Sequence, residues 1–426
     1  MNGKVLDVHE KPTAGKWLTL SMQHMFAMFG ATILVPQLVG LSPAIALLTS
    51  GIATIIFIIV TRFQVPAYLG SSFAFIIPIQ IATTTGGIGS AMIGSMFVAL
   101  VYAIVSLLIW KTGYEWIMKL LPPIVVAPVI MVIGLALAPT AVGMASTIEV
   151  DGESVYSLLH FSAALVTLVA AIICIMFFRG VISLMPILIG ISTGYIYSAF
   201  VGILDFTAVK EAKWFAVPDF LLPGIHYEFV ITPTLLAVMV PIAIVTISEH
   251  IGHQLVLGRI VERDYIKEPG LHRSLIGDGI GTLISGLVGG PPKTTYGENI
   301  GVLAITRVYS VYVILGAAVF AILFSFFGKV MAMIATIPAA VLGGISILLF
   351  GIIASSGLRM FVDHNIDFGK QRNLVIASVI LVIGIGGATI KFTDTFAIEG
   401  MALAAIVGVL LNLILPGKTE KKLTDL

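Results

Sequence analysis

The stretch Pro291-Pro292-Lys293-Thr294-Thr295-Tyr296-Gly297-Glu298-Asn299-Ile300-Gly301-Val302-Leu303-Ala304-Ile305-Thr306-Arg307 is polar, rich in turn residues and carries a carboxylate. It nevertheless lies between two strongly apolar runs, where a membrane protein should be continuous helix. Broken backbone at membrane depth is tolerated only where it is buried in protein or lines a cavity. The reading that follows is an extended segment from Pro291 to Tyr296, then a half-helix starting near Glu298, with a substrate site in mid-membrane.

Composition supports a membrane setting. Of 426 residues, 58% are hydrophobic and 11% are charged, against roughly 25% charged in a soluble domain. Repeated apolar runs near the length of a bilayer crossing imply a polytopic α-helical protein. The formal net charge of +1 gives no case for nucleic acid. The lone Cys174 excludes an internal disulfide framework and a cysteine metal cluster. Met1 to Lys16 is polar with no apolar core, so no cleaved signal peptide is expected. No P-loop is present, and no cofactor or metal is expected.

Hydropathy and breaks give fourteen spans, near 16–38, 42–61, 66–82, 87–110, 114–140, 156–177, 181–203, 231–252, 273–289, 292–306, 308–328, 332–356, 374–388 and 396–415. With that count, 18 of the 23 Lys and Arg residues fall on one side, including Lys4, Arg62, Arg263, Arg273 and Lys418, Lys421 and Lys422. Five, Lys210, Lys213, Lys293, Lys329 and Lys391, fall on the other. The positive-inside rule then puts both termini in the cytoplasm and the acidic loop Glu149-Val150-Asp151-Gly152-Glu153 outside.

The two halves echo each other. Gln23-His24 matches Glu249-His250, Tyr68-Leu69-Gly70-Ser71-Ser72 resembles Tyr296-Gly297-Glu298, and Leu121-Pro122-Pro123 resembles Ile337-Pro338. Seven spans per repeat is an odd number, so the repeats must be inverted, as in secondary transporters whose site lies where two broken helices meet.

Ionisable groups deep in spans are few: His24, Glu249, His250, His253, Asp278 and Glu298. A charge at the bilayer centre costs roughly 3 kcal/mol or more, so each is a functional candidate. Glu249 and His253 are i and i+4, on one helix face, and can share a proton. A structural hydrogen bond fixing span 8 is the competing reading. Asp278 reads more readily as a span-end cap, and His24 as a hydrogen-bonding residue beside the site. Gly297 lets backbone approach a ligand closely, and the free N–H groups at a helix start are donors. Ser71, Ser72 and Phe73 would do the same in span 3. Such a site suits a planar ligand with ring N–H donors alternating with carbonyl acceptors, on which Phe73, Tyr68 and Tyr296 could stack. A simple anion would be repelled by the two carboxylates.

Glu298-Asn299-Ile300-Gly301-Val302-Leu303-Ala304-Ile305-Thr306-Arg307 fits a signature of Gln or Glu, Asn, any, Gly, four of any, Thr, then Arg, Lys or Gly. It resembles that of the nucleobase–cation symporters, also called nucleobase–ascorbate transporters. Gln23-His24, the run Pro66 to Phe73 and Glu249-His250-Ile251-Gly252-His253 are similar to the same family, within it to the bacterial uracil transporters. The resemblance implies fourteen transmembrane segments as two inverted sevens, with short strands leading into half-helices in segments 3 and 10. It implies a core domain, residues 1–113 and 231–330, and a gate domain, residues 114–230 and 331–426. It maps substrate binding onto Glu249, Glu298 and the backbone donors of Phe73 and Gly297, beside Tyr296 and Ser72. The coupling histidine maps onto His253, with His24, Gln23, Tyr68 and Asn299 in support. The implied activity is uracil import by proton symport across the plasma membrane, in a protein that is often a homodimer. Glu298 stands where purine-transporting relatives commonly have Gln, which favours uracil over xanthine. A xanthine or purine symporter is the nearest alternative, and an anion transporter of related architecture a more distant one.

Overall fold

The computed structural model describes residues 6–150, 152–180, 182–393 and 397–417. Lys4, Lys418, Lys421 and Lys422 of the charge count, and Asp151 of the acidic loop, lie outside the described residues. The chain is a polytopic helical membrane protein of fourteen segments in two inverted sevens.

Seven helices are long and apolar enough to cross a membrane outright: Ala14–Leu38, Pro43–Val60, Phe73–Thr112, Pro123–Ser146, Leu158–Phe177, Pro233–Val261 and Ala339–Asp363. The helix through Ile76–Thr112 is two spans, broken at Gly87 (φ 75°, ψ 172°). Span 9 is Leu271–Val288 and span 11 is Val311–Ser325, after which the chain bends by 83° into Gly328–Ala335. Spans 7, 13 and 14 are the 15-residue helices Pro186–Phe200, Gln371–Ile385 and Gly400–Ile414. Such a helix is only about 22 Å long, short of a hydrocarbon core of about 30 Å. Proline opens several spans, at Pro43, Pro123, Pro186 and Pro233, where its missing N–H costs no helical bond.

Three boundaries differ from the sequence reading. Span 8 runs on to Val261 instead of stopping near 252. Hydropathy falls at Glu249, His250 and His253, but these side chains face protein, so the helix continues. Span 5 starts at Pro123 rather than 114, because Leu121 and Pro122 separate it from the short helix Glu115–Leu120. Span 12 starts at Ala339, after the bend.

The helices associate in two groups. Spans 1, 2, 3, 4, 8, 9, 10 and 11 pack among themselves, and so do spans 5, 6, 7, 12, 13 and 14. Between the groups, span 8 meets spans 5 and 14, and span 1 meets span 7. At the centre of the first group, strand Leu69–Ser71 pairs antiparallel with strand Lys293–Thr295, in the register Leu69 to Thr295, Gly70 to Thr294 and Ser71 to Lys293. Lys293 therefore does not lie on an outer face as the charge count placed it. It is fully buried, its Nζ donating to Ala46 O (3.0 Å) and Ser50 Oγ (2.9 Å) on span 2.

Candidate substrate site at two crossed half-helices

Two strands in mid-membrane expose main-chain groups that water cannot reach, and each unmet group would cost several kcal/mol. The neighbouring helices answer them symmetrically. Thr54 Oγ1 of span 2 accepts from Leu69 N (2.9 Å) and donates to Leu69 O (3.4 Å). Thr282 Oγ1 of span 9 accepts from Lys293 N (3.0 Å) and donates to Lys293 O (3.1 Å). Each threonine thus serves the first residue of its strand. Ser72 N to Pro292 O (2.9 Å) and Tyr296 N to Tyr68 O (3.1 Å) close the two ends of the pairing.

Each strand then turns into a helix, at Phe73 and at Gly297. Strand starts and helix starts are both 224 residues apart. The repeat therefore equates Phe73 with Gly297, not Tyr68 with Tyr296 as the sequence match suggested. Tyr68 precedes its strand, while Tyr296 follows its own and sends its hydroxyl back to Ser71 O (3.2 Å). Gly70 is dictated by this ring, because a Cβ there would lie 2.0 Å from Tyr296 Cζ. Gly297 lies close against span 8, where a Cβ would sit 3.2 Å from His253 Nε2.

Around the crossing the structure gathers most of the residues singled out in the sequence. Glu298 sits in the first turn of its half-helix. Glu249, on span 8, is 8% exposed and close enough to Glu298 for the two charges to interact. Glu298 Oε1, Glu249 Oε2 and Ser72 Oγ are buried and make no hydrogen bond among the described residues. Buried polar atoms are seldom left so. The Phe73 ring stacks on Tyr296 (centroids 6.4 Å, 29°) and meets Phe350 of span 12 edge-on (6.1 Å, 79°). One helix of the second group thereby closes over the site.

The remaining candidates stand just outside. His24 Nε2 bonds Asn299 Oδ1 (2.5 Å), and Asn299 Nδ2 donates to Pro66 O (3.1 Å). Span 1 and the approach to the first strand are thus tied to the second half-helix. Gln23 is half-buried beside His24 and makes no hydrogen bond to the site among the described residues. His253 does not bond Glu249. Its Nδ1 lies 3.2 Å from Thr295 Oγ1, so the imidazole is oriented by the second strand.

One buried cluster departs from the sequence expectation. Asp278 is not a span-end cap but a fully buried partner of His250, Oδ2 to Nδ1 at 2.8 Å, with His250 Nε2 2.9 Å from Ser274 Oγ. The pair joins spans 8 and 9 behind the crossing. The available signal was depth: Asp278 lies two helical turns inside span 9, about 10 Å from its start.

The arrangement offers two carboxylate acceptors, two sets of helix-start N–H donors and an aromatic wall. Among the described residues no group of three His, Cys, Asp or Glu could hold a metal ion.

Comparison with known proteins places the chain. It is 65% identical over 420 residues to the uracil permease of Bacillus caldolyticus, covering 99% of this chain and 96% of the relative. It is 58% identical over 419 residues to the uracil permease of Bacillus subtilis (strain 168), covering 98% and 96%. Its fold matches the transmembrane domain of a cyanobacterial bicarbonate transporter, BicA, with a TM-score of 0.63 at 16% identity over 95% of this chain and 97% of that one. The family model described as Permease family, Xan_ur_permease, matches residues 15–392. The chain accordingly belongs to this permease family, the nucleobase–ascorbate transporters.

Proposed function

We propose that this protein imports uracil by proton symport across the plasma membrane. The observation that carries the reading is the pair of buried carboxylate oxygens without hydrogen-bond partners among the described residues, Glu298 Oε1 in the first turn of the second half-helix and Glu249 Oε2 on span 8. Uracil presents two ring N–H donors and two carbonyl acceptors around one flat ring. In this reading the carboxylates accept its N–H groups, and the amides of Phe73 and Gly297 donate to its carbonyls. Ser72 supplies a further polar contact, and the Phe73 ring, stacked on Tyr296, forms one wall against the base. The uracil permease relatives support the choice of substrate.

Coupling follows from the cost of buried charge. Two carboxylates that move through a low-dielectric interface without substrate or proton carry an uncompensated penalty of several kcal/mol per ion. Protonation around Glu249 and His253 removes part of that penalty, so the loaded, protonated state is the one that crosses. The moving body is the group of spans 1–4 and 8–11, the core. The spans 5–7 and 12–14 form the gate, and the contact between Phe73 and Phe350 parts and reforms as the core moves. The termini face the cytoplasm, and two copies associate in the bilayer.

The test is uptake of labelled uracil into proteoliposomes with an inward proton gradient, in competition with unlabelled uracil and xanthine. Gradient-dependent uptake blocked by uracil alone supports the reading. Equal block by xanthine moves the substrate to purines. Uptake indifferent to the gradient removes proton symport.

A further inference from the structure

The residues that line one lateral groove have no part in the site above. The groove has a volume of about 440 Å³ and lies where spans 2, 4 and 9 end on the membrane face bearing Arg62, Lys111 and Arg273. Its polar end is built. Ser106 Oγ donates to His272 O (2.6 Å), locking span 4 to the start of span 9. Arg273 Nη1 donates to Val60 O (3.3 Å) at the end of span 2. That contact uses one of five guanidinium donors. Arg62 stands two residues beyond Val60, and its charge and that of Arg273 both act on His272. Lys111 ends span 4 beside Trp110. Neither Arg62 nor Arg273 is ion-paired among the described residues.

The other end is apolar and opens sideways. Ala103, Leu107 and Ile276 form its walls, and Trp110, 64% exposed, forms its rim. Exposed Leu100, Ile104 and Leu107 continue the wall up span 4 at helical spacing. Tryptophan at such a position marks the headgroup level of a bilayer.

We propose that this groove is a site for an anionic phospholipid. The phosphate is held by Arg273 and Arg62 with His272, and an acyl chain lies along Leu107, Ile104 and Leu100. A free anion would use the guanidinium groups but gain nothing from the apolar walls. A zwitterionic lipid would use the walls and bring a phosphate, but its own ammonium offsets that charge and adds repulsion beside the arginines. The site belongs to the core side of the molecule, and the chain leads from Arg62 directly into the strand at Leu69. Lipid bound there is anchored to the root of the first crossed unit.

Native mass spectrometry of the full chain, with phosphatidylglycerol and phosphatidylcholine of matched chains, tests this. Retention of phosphatidylglycerol over phosphatidylcholine is expected. The double variant Arg62→Gln/Arg273→Gln should weaken phosphatidylglycerol binding by more than tenfold, taking about fivefold per basic side chain near a membrane surface. Because Arg273 also caps span 2, Trp110→Glu serves as the second variant. It sets a carboxylate at an exposed rim position and should lower retention in the same direction. Equal retention of the two lipids overturns the proposal, as does phosphatidylglycerol binding unchanged in Trp110→Glu. Thermal stabilisation by inorganic phosphate equal to that by phosphatidylglycerol would make it a free-anion site instead.

Discussion

The two crossed units share a backbone and differ in chemistry. Each is a three-residue strand leading into a helix start, and each has a threonine on a neighbouring span that meets the main chain of its first residue. The first unit, Leu69 to Phe75, carries no ionisable side chain except the preceding Tyr68. The second, at the same positions, carries Lys293 in place of Leu69, Thr294 in place of Gly70 and Glu298 in place of Ala74. Duplication with inversion accounts for the geometry, since an odd number of spans reverses each copy. Only the second copy carries charged side chains at these positions. In the proposed reading the first unit is a donor platform, and the second holds the acceptor.

That contrast can be broken by making the units alike. The largest effect is expected from Gly70→Thr, which gives the first strand the side chain of its counterpart Thr294. The Tyr296 ring occupies the space, with Cζ 2.0 Å from the new Cβ. Overpacking of this kind costs about 1–3 kcal/mol or more, so a lower thermal midpoint and lost uptake are expected. Wild-type stability would show that the ring is free to move and that the strand pairing does not depend on this contact.

Next in size is the pair Thr54→Val and Thr282→Val. Each leaves a buried N–H and C=O unmet, at about 1–3 kcal/mol per group. Equal losses of thermal stability are predicted for the two. A loss confined to one would mean that the units are not supported in the same way.

Lys293→Leu removes the charge that distinguishes the second strand. The Lys293 Nζ meets Ala46 O and Ser50 Oγ but no carboxylate among the described residues, and holding an unpaired charge in an apolar interior is costly. The thermal midpoint should stay within the shift expected for about 1–2 kcal/mol, with uptake retained. Loss of uptake in a stable Lys293→Leu protein would show that the ammonium takes part in transport.

Phe350→Leu tests the closure over the first unit. An aromatic pair is worth about 0.5–1.5 kcal/mol beyond its buried area, so a rise of a fewfold in the uptake KM with little change in maximal rate is the smallest effect expected. An unchanged KM would detach span 12 from the site.

Much of this was legible in the sequence because a bilayer constrains local sequence severely. Span lengths, the two broken spans and the rare buried ionisable groups all follow from what hydrocarbon tolerates. The stretch 291–307 stood out for that reason, and its division into strand and half-helix was readable from Pro291, Pro292 and Gly297. What was not legible were partners across elements. Helical spacing brought Glu249 and His253 to one face, but Thr295 was not visible as the partner that orients His253. Matching Tyr68 to Tyr296 by identity missed the true offset, because the repeat keeps backbone positions and not side chains. Lys293 looked like a loop charge since its environment, Ala46 and Ser50, is more than two hundred residues away. Asp278 was undervalued because a single carboxylate near a helix end reads as a cap until its histidine is placed.

In the proposed reading the Glu298 carboxylate, whose Oε1 has no partner among the described residues, accepts a ring N–H of uracil. Calorimetric titration of uracil into the purified wild-type chain and into Glu298→Gln, which keeps shape and burial but adds a donor, tests it most directly. Measurable binding to wild type is expected, with about 100-fold weaker binding to a Glu298→Gln protein of normal thermal midpoint, the upper end of what one mispaired buried group costs. Uracil bound equally by both proteins would contradict it.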